Sequence, residues 1–464
     1  MSGPAPIFAA DFQWGVATAA YQIEGAVNEG GRSASIWDTF SHSGDHIVDG
    51  SSGDEACDHY HRYRDDVALM ADLGVSAYRF SIAWPRVQPD GKGEPNAAGV
   101  AFYDRLVDAL LERGIAPMAT LFHWDLPQAV QDDGGWSERD TAHRFAEYAG
   151  IVARALGDRV AVWMTLNEPV ITTVYGHIWG MHAPGLNLFD DPFPVVHHQL
   201  LAHGQSVAAL RAGGVSGRVG IANNYSPAWA VGPDGERDSA GDADRAAAAA
   251  FDAFHNRLYT DPLLLGRYPS GLDAFPGAHR LGEESATGLV RPGDLATIAA
   301  PVSALGVNYY NPSGIGAPSS GSPLPYDTRM LAGYPTTYFG WPVVPDGLRE
   351  TLVMLRLRYG EALPPIYVTE NGCTYEDVPG ADGVVHDTDR IAFLDGHINA
   401  LGAAVAEGAP VAGYFVWSLL DNFEWAEGYT KRFGLIHVDY ATQRRTPKAS
   451  YAWYREKIAS LRSA

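Results

Sequence analysis

The chain of 464 residues carries 33 Lys plus Arg against 55 Asp plus Glu, a formal net charge of -22 at pH 7. A field of that sign repels nucleic-acid phosphates and anionic lipid surfaces, which excludes nucleic acid and membrane as partners and favours a small neutral substrate. With 46% hydrophobic residues, 12 Trp and 23 Tyr there is ample apolar surface for a large core, which excludes a disordered chain.

The N-terminal stretch lacks a basic segment followed by an unbroken apolar one, so no secretion signal is expected, and no apolar run reaches membrane-spanning length. In chain order, a strand is predicted at 12–18, a helix at 63–73, a strand at 77–82, a helix at 101–113, a strand at 116–122 and a helix at 142–156. A strand at 160–166, a helix at 195–212 and a strand at 218–223 follow, then strands at 304–309, 366–369 and 412–417, with helices at 347–359, 389–406 and 450–461. Eight such strands alternating with helices predict an α/β protein, a single (β/α)8 TIM barrel whose one catalytic domain spans 1–464. The Gly, Pro and Ser-rich segments 227–239 and 312–326 read as surface insertions on the rim.

Only Cys57 and Cys373 are present, too few for a disulfide framework, which predicts two free thiols and a reducing, cytoplasmic setting. His197, His198 and His203 have no carboxylate or Cys partner at ligand spacing, so no metal is expected. The glycine-rich stretches do not follow a strand with dinucleotide-binding spacing, and no cofactor is expected either.

In a (β/α)8 barrel the catalytic side chains come from the C-terminal ends of the strands. Arg79 stands inside YRFSIAW, His123 and Trp124 end MATLFHW, Asn167 and Glu168 end VWMTLNEP, Asn308 and Tyr310 end LGVNYY, and Glu370 ends IYVTENG. Two of these are carboxylates behind strands too apolar to carry a charge inward without a purpose. Glycoside hydrolysis needs such a pair, one acid to protonate the leaving oxygen and one carboxylate to face the anomeric carbon. The alternative is a pair of strand-end glutamates held in salt bridges. Pro169 and the Asn371–Gly372 pair each predict a turn directly beyond the glutamate.

Seven ordered segments resemble glycoside hydrolase family 1: FQWGVATAAYQIEG, YRFSIAWPR, LFHWDLP, TLNEP, GVNYY, YVTENG and FVWSLLDNFEWAEGY. The resemblance covers nearly the whole chain and implies a retaining β-glucosidase, with Glu168 as acid/base and Glu370 as nucleophile, about 5 to 5.5 Å apart. It further implies that Gln22, His123, Trp124, Asn167, Asn308, Glu424 and Trp425 bind the sugar and that Trp417 is the platform beneath its ring. By the same resemblance Arg79 and Tyr310 contact Glu370, and Trp341 stacks on whatever occupies the next subsite.

Members that cleave 6-phosphoglycosides carry Ser where Glu424 stands, with a Lys and a Tyr for the phosphate; here Lys431 is present but Phe433 replaces the Tyr. A carboxylate beside the sugar would repel a phosphate, so the expected substrates are unphosphorylated O-glycosides such as cellobiose and aryl glucosides, with β-galactosides and β-fucosides also in range. Val170, Tyr175, His177, Trp179 and Asn223 are candidates for the entrance. A transglycosylase using the same intermediate and a non-catalytic carbohydrate-binding protein stand as the competing functions.

Overall fold

The apolar, β-branched runs form eight parallel strands: β1 (Gln13–Ala17), β2 (Ala77–Ser81), β3 (Ala116–Phe122), β4 (Val162–Asn167), β5 (Arg218–Asn224), β6 (Ala304–Asn308), β7 (Ile366–Asn371) and β8 (Val411–Trp417). Each pairs with the next, and β8 pairs with β1 from Gln13 opposite Gly413 to Ala17 opposite Trp417, which closes the barrel. The computed structural model describes residues 8–282, 284–381 and 383–463.

Helices follow the strands in turn: α1 (His59–Leu73), α2 (Ala97–Glu112), α3 (Asp140–Leu156), α4 (Phe193–Ala212), α5 (Asp242–Phe251), α6 (Pro345–Tyr359), α7 (Thr388–Ala406) and α8 (Ala449–Ser463). In α2, Phe102, Leu106 and Leu110 recur at helical spacing on the buried face, and the side chain of Asn96 caps the first turn by accepting from the Ala98 amide. Each such fully buried side chain stabilises the fold by roughly 1.5–3 kcal/mol, so the helix is held by its apolar stripe more than by intrinsic propensity.

Three strands run further at their C-terminal ends than the sequence predicts. β5 continues to Asn224, β4 through Asn167 and β7 through Glu370 to Asn371. In β4 and β7 the pairing register slips just before the functional residue, between Met164 and Asn167 against β5 and between Val368 and Glu370 against β6. Such irregularities turn a side chain out of the alternating pattern and are common beside active sites.

Gly372 corrects another expectation. No turn follows Glu370; instead, a Cβ on Gly372 would lie 1.7 Å from the carbonyl oxygen of Trp417, so glycine is required by the close approach of β8. Pro169 does begin a short helix, Pro169–Ile171, directly beyond Glu168.

The two expected insertions are not plain loops. Ala228–Ala230 pairs in parallel with Ser313–Gly316, which pairs antiparallel with Asp327–Arg329, giving a three-stranded sheet outside the barrel. Its stability comes from Trp229 and Ile315, both buried, and from Arg329, which donates to the Val231 carbonyl and to Asp244. The Gly and Pro content masked these short strands. Among the described residues no helix is long and apolar enough to cross a membrane.

Candidate active site

A cavity of about 320 Å³ opens at the C-terminal ends of the strands, lined by Glu168, Glu370, His123, Trp417, Glu424 and Trp425 among others. That size lies within the range of small-molecule sites, roughly 300–1,000 Å³.

Glu370 is 3% exposed at the end of β7. Arg79 donates from Nη1 to its Oε1 at 2.6 Å, and the Tyr310 hydroxyl donates to its Oε2 at 2.7 Å, so each oxygen has its own donor. Arg79 is itself wholly buried, donating from Nη2 to Asn167 Oδ1 at 2.6 Å and from Nε to Thr120 Oγ1 at 3.2 Å. A guanidinium fixed in this way sets the orientation of the carboxylate it touches.

Glu168 lies in the left-handed region, with φ 46° and ψ 56°, between the end of β4 and the helix that Pro169 begins. That backbone, uncommon for a side chain with a Cβ, is held by the strand and helix on either side. Its Oε1 accepts from Asn308 Nδ2 at 2.8 Å and from Asn224 Nδ2 at 2.9 Å. Burial, and after it the charge of Glu370, push the Glu168 carboxyl up to about 8, while the two amides and Arg79 pull the other way. The two glutamates, both buried, therefore stand in different environments, one anchored by a cation and a phenol, the other by two neutral amides.

Asn167 shows how the orientation is locked. Its Oδ1 accepts from Arg79 and from Asn308, so its Nδ2 must face His123 Nε2, 3.0 Å away. His123, held far below the usual histidine range by burial and then by Arg79, is neutral and accepts at Nε2. Its proton then sits on Nδ1, which has no partner among the described residues. Asn308 commits both amide hydrogens, to Asn167 and Glu168, and lies beneath the glutamate rather than on the cavity wall.

The aromatic wall comes from β8 and the loop beyond it. Trp417 packs almost parallel to His123 at 5.7 Å, and Trp425 lies 4.5 Å from Trp124. Trp124 and Trp425 both have positive φ, 76° and 51°, and Trp124 Nε1 donates to the Asn167 carbonyl. Gln22 Nε2 reaches Asn422 Oδ1, the Phe423 carbonyl and, at 3.5 Å, Glu424 Oε2. Burial, followed by Glu370, raises the Glu424 carboxyl to about 8.

The family model "Glycosyl hydrolase family 1" matches residues 5–462. The chain belongs to glycosyl hydrolase family 1. It is 47% identical to the bifunctional β-D-glucosidase/β-D-fucosidase of Bifidobacterium breve, with 98% of each chain covered. It is 43% identical to β-glucosidase A of Acetivibrio thermocellus over 97% of this chain and 98% of that one. Among solved structures, the family 1 β-glucosidase of Thermotoga maritima superposes with a TM-score of 0.90 at 39% identity, covering 99% of both chains.

At the mouth of this family 1 glycosyl hydrolase, Trp341 lines the cavity and stacks on Phe339 at 4.3 Å. Tyr175 lines it too, whereas Val170, His177 and Asn223 are buried and stand off it, and Trp179 packs edge-on against Phe189 instead. Asn224 and His255, which no sequence motif singles out, also line the cavity. The strand-end rule finds Asn224 once β5 is extended by one residue; His255 lies in a wide helical turn, Asp252–Arg257, that has no sequence signature. Of the three histidines weighed as ligands, His197 bonds Tyr268 and Asp294, His198 the Trp136 carbonyl and His203 Thr165.

Proposed function

We propose that this protein is a retaining β-glucosidase, one catalytic unit in which Glu370 is the nucleophile and Glu168 the acid/base. The observation that carries the reading is the contrast between the two carboxyls of one cavity: Arg79 and Tyr310 hold Glu370, while burial raises Glu168 to about 8. Glu370 attacks the anomeric carbon as Glu168 gives its proton to the glycosidic oxygen, and the C–O bond electrons leave with the aglycone. Esterification removes the charge of Glu370, the second cause of the raised Glu168 value, so Glu168 becomes the stronger acid in the intermediate. Its carboxylate then takes the proton of the water that releases the sugar.

On the cavity wall His123 Nδ1 and Glu424 supply a donor and acceptors for the sugar hydroxyls, with Gln22 bonded to Glu424 and its Oε1 unpartnered among the described residues; Trp417 supplies a flat apolar face, and Trp341 with Tyr175 flanks the aglycone. The relatives named as β-glucosidases, one of them also a β-fucosidase, support β-glucosides as substrates, with cellobiose and aryl glucosides among them and β-fucosides and β-galactosides in range. Two buried free thiols, Cys57 and Cys373, support a reducing compartment such as the cytoplasm.

The deciding experiment is the initial rate on p-nitrophenyl β-D-glucoside, galactoside, fucoside and xyloside, with Glu370→Gln as the blank. Cleavage of the glucoside that the variant loses is the expected result; no cleavage of any of the four overturns the reading.

A further inference from the structure

Glu168 Oε1 already accepts two amide donors, and each amide is keyed from behind by a hydrogen bond to its own oxygen. Thr369, fully buried, donates from Oγ1 to Asn308 Oδ1 at 2.6 Å, and His255 Nε2 stands 2.9 Å from Asn224 Oδ1. We propose that His255 is a positioning residue for the acid/base: it fixes the Asn224 amide so that Oε1 of Glu168 is reserved as an acceptor and Oε2 carries the catalytic proton. The proposal rests on the reading of Glu168 as acid.

The orientation follows from the hydrogen-bond inventory. Asn224 Nδ2 faces Glu168 Oε1 at 2.9 Å, so Asn224 Oδ1 faces His255 and needs a donor there. Burial holds the His255 imidazole down to about 4, so it is neutral with one N–H, and that N–H must be on Nε2. Without it the Asn224 amide can rotate by half a turn and set its carbonyl against Oε1, where a protonated carboxyl would donate to it. The catalytic proton would then reside on the wrong oxygen. A proton on Oε1 in the native arrangement would instead point at two N–H groups, so Oε2 is the one site left for it.

The fold presents His255 for this purpose through the wide turn Asp252–Arg257 that continues α5. Turns of this kind are frequent at functional sites. The ring lies flat on Phe251, centroids 4.8 Å apart and planes 10° from parallel, which fixes the direction of Nε2. The charged and titratable groups facing Glu168 are Glu370 on β7, Arg79 on β2, Tyr310 beyond β6, Glu424 beyond β8 and Tyr175 beyond β4. The charge facing His255 is Asp252, which Arg358 pairs. None of these changes in the variants below.

The test is kcat/KM against pH on phenyl β-D-glucoside, whose leaving group needs protonation, and on 2,4-dinitrophenyl β-D-glucoside, whose leaving group does not. His255→Phe keeps a flat ring on Phe251 and removes the donor. It should lower the phenyl glucoside rate by about tenfold, a fraction of what full acid catalysis contributes. It should also move the basic limb of the profile up by about half a pH unit, because the carboxylate form loses an ordered donor. The dinitrophenyl rate should stay within about twofold, and His255→Gln, which keeps an N–H, should restore much of the phenyl rate. Asn224→Ala should give the same split, and the double variant should add little to either single one. Equal losses on both substrates with an unmoved basic limb, or fully additive effects of the two substitutions, would overturn the proposal and leave His255 a packing residue. Glu168→Gln measured alongside separates the two levels: if it fails to discriminate the substrates, the reading of Glu168 as acid falls, whatever His255 does.

Discussion

Arg79 stands 2.6 Å from Glu370 Oε1 through one arm of its guanidinium and 2.6 Å from Asn167 Oδ1 through the other. One buried cation thus holds the proposed nucleophile and, through Asn167, the tautomer of His123. Removing it leaves Glu370 buried and uncompensated, which costs about 3–5 kcal/mol for a pair of this kind. Arg79→Gln is therefore expected to lower stability by that amount, and Arg79→Gln/Glu370→Gln to recover most of it, since the orphaned charge is gone. Urea unfolding of the wild type and of the two variants decides the point; a double variant no more stable than Arg79→Gln would mean that the loss is one of packing.

The proposed roles make opposite predictions for the two glutamates. Glu370→Ala should abolish turnover, and azide should restore it in part with an α-glucosyl azide as product, because a small anion enters from the vacated face. Glu168→Ala should slow phenyl glucoside cleavage by a factor on the order of 10² to 10⁴ while sparing dinitrophenyl glucoside, whose leaving group departs without a proton. Product stereochemistry by NMR and the two rates check this, and exchanged behaviour would exchange the roles.

Most of this arrangement is legible from the chain alone. The alternation of apolar runs and amphipathic stretches yields the barrel, the polar residues ending the runs include both glutamates and Asn167, and Arg79 stands out as a charge inside one. What the chain does not carry on its face is whatever depends on close approach between distant segments. Gly372 reads as a turn and is a contact with Trp417; the segments 227–239 and 312–326 read as loops and meet in a sheet. His255 escapes because the wide turn that aims it follows an alanine-rich helix with no distinguishing pattern. Asn308 is found by its strand end, yet its contacts set it behind Glu168.

The raised carboxyl of Glu168 also governs stability. Its value in the fold is about 8 against 4.5 for the free group. Below pH 4.5 both folded and unfolded chains hold the proton, and the site is neutral to stability. Between there and pH 8 the unfolded chain gives up the proton while the folded chain keeps it, so folding loses free energy as pH rises. Glu168→Gln removes this dependence. It should therefore be more stable than the wild type at pH 8, by on the order of 1–3 kcal/mol, and equal to it at pH 4. Thermal unfolding at the two pH values tests this, and a stabilisation equal at both would place its origin outside the titration.

Glu424 bears on which sugars are refused. The sequence suggests that its charge repels a 6-phosphate, yet burial raises the carboxyl to about 8, so near neutral pH it is protonated and repels little. Refusal then lies with its neighbours. Phe433 offers the cavity an apolar ring, and Lys431, which is not on the cavity wall, donates to the Tyr338 carbonyl and lies 4.2 Å above the Tyr338 ring. Glu424→Gln should accordingly leave p-nitrophenyl 6-phospho-β-D-glucoside uncleaved at pH 6, and so should the wild type. Glu424→Ser should lose glucoside activity, through the hydroxyl contact it removes, without gaining the phosphorylated substrate. Only when Phe433→Tyr is added, and Tyr338→Ala removes the ring over which Lys431 lies, should phosphoglucoside cleavage emerge. Activity on it from Glu424→Ser alone would return the exclusion to the carboxylate charge.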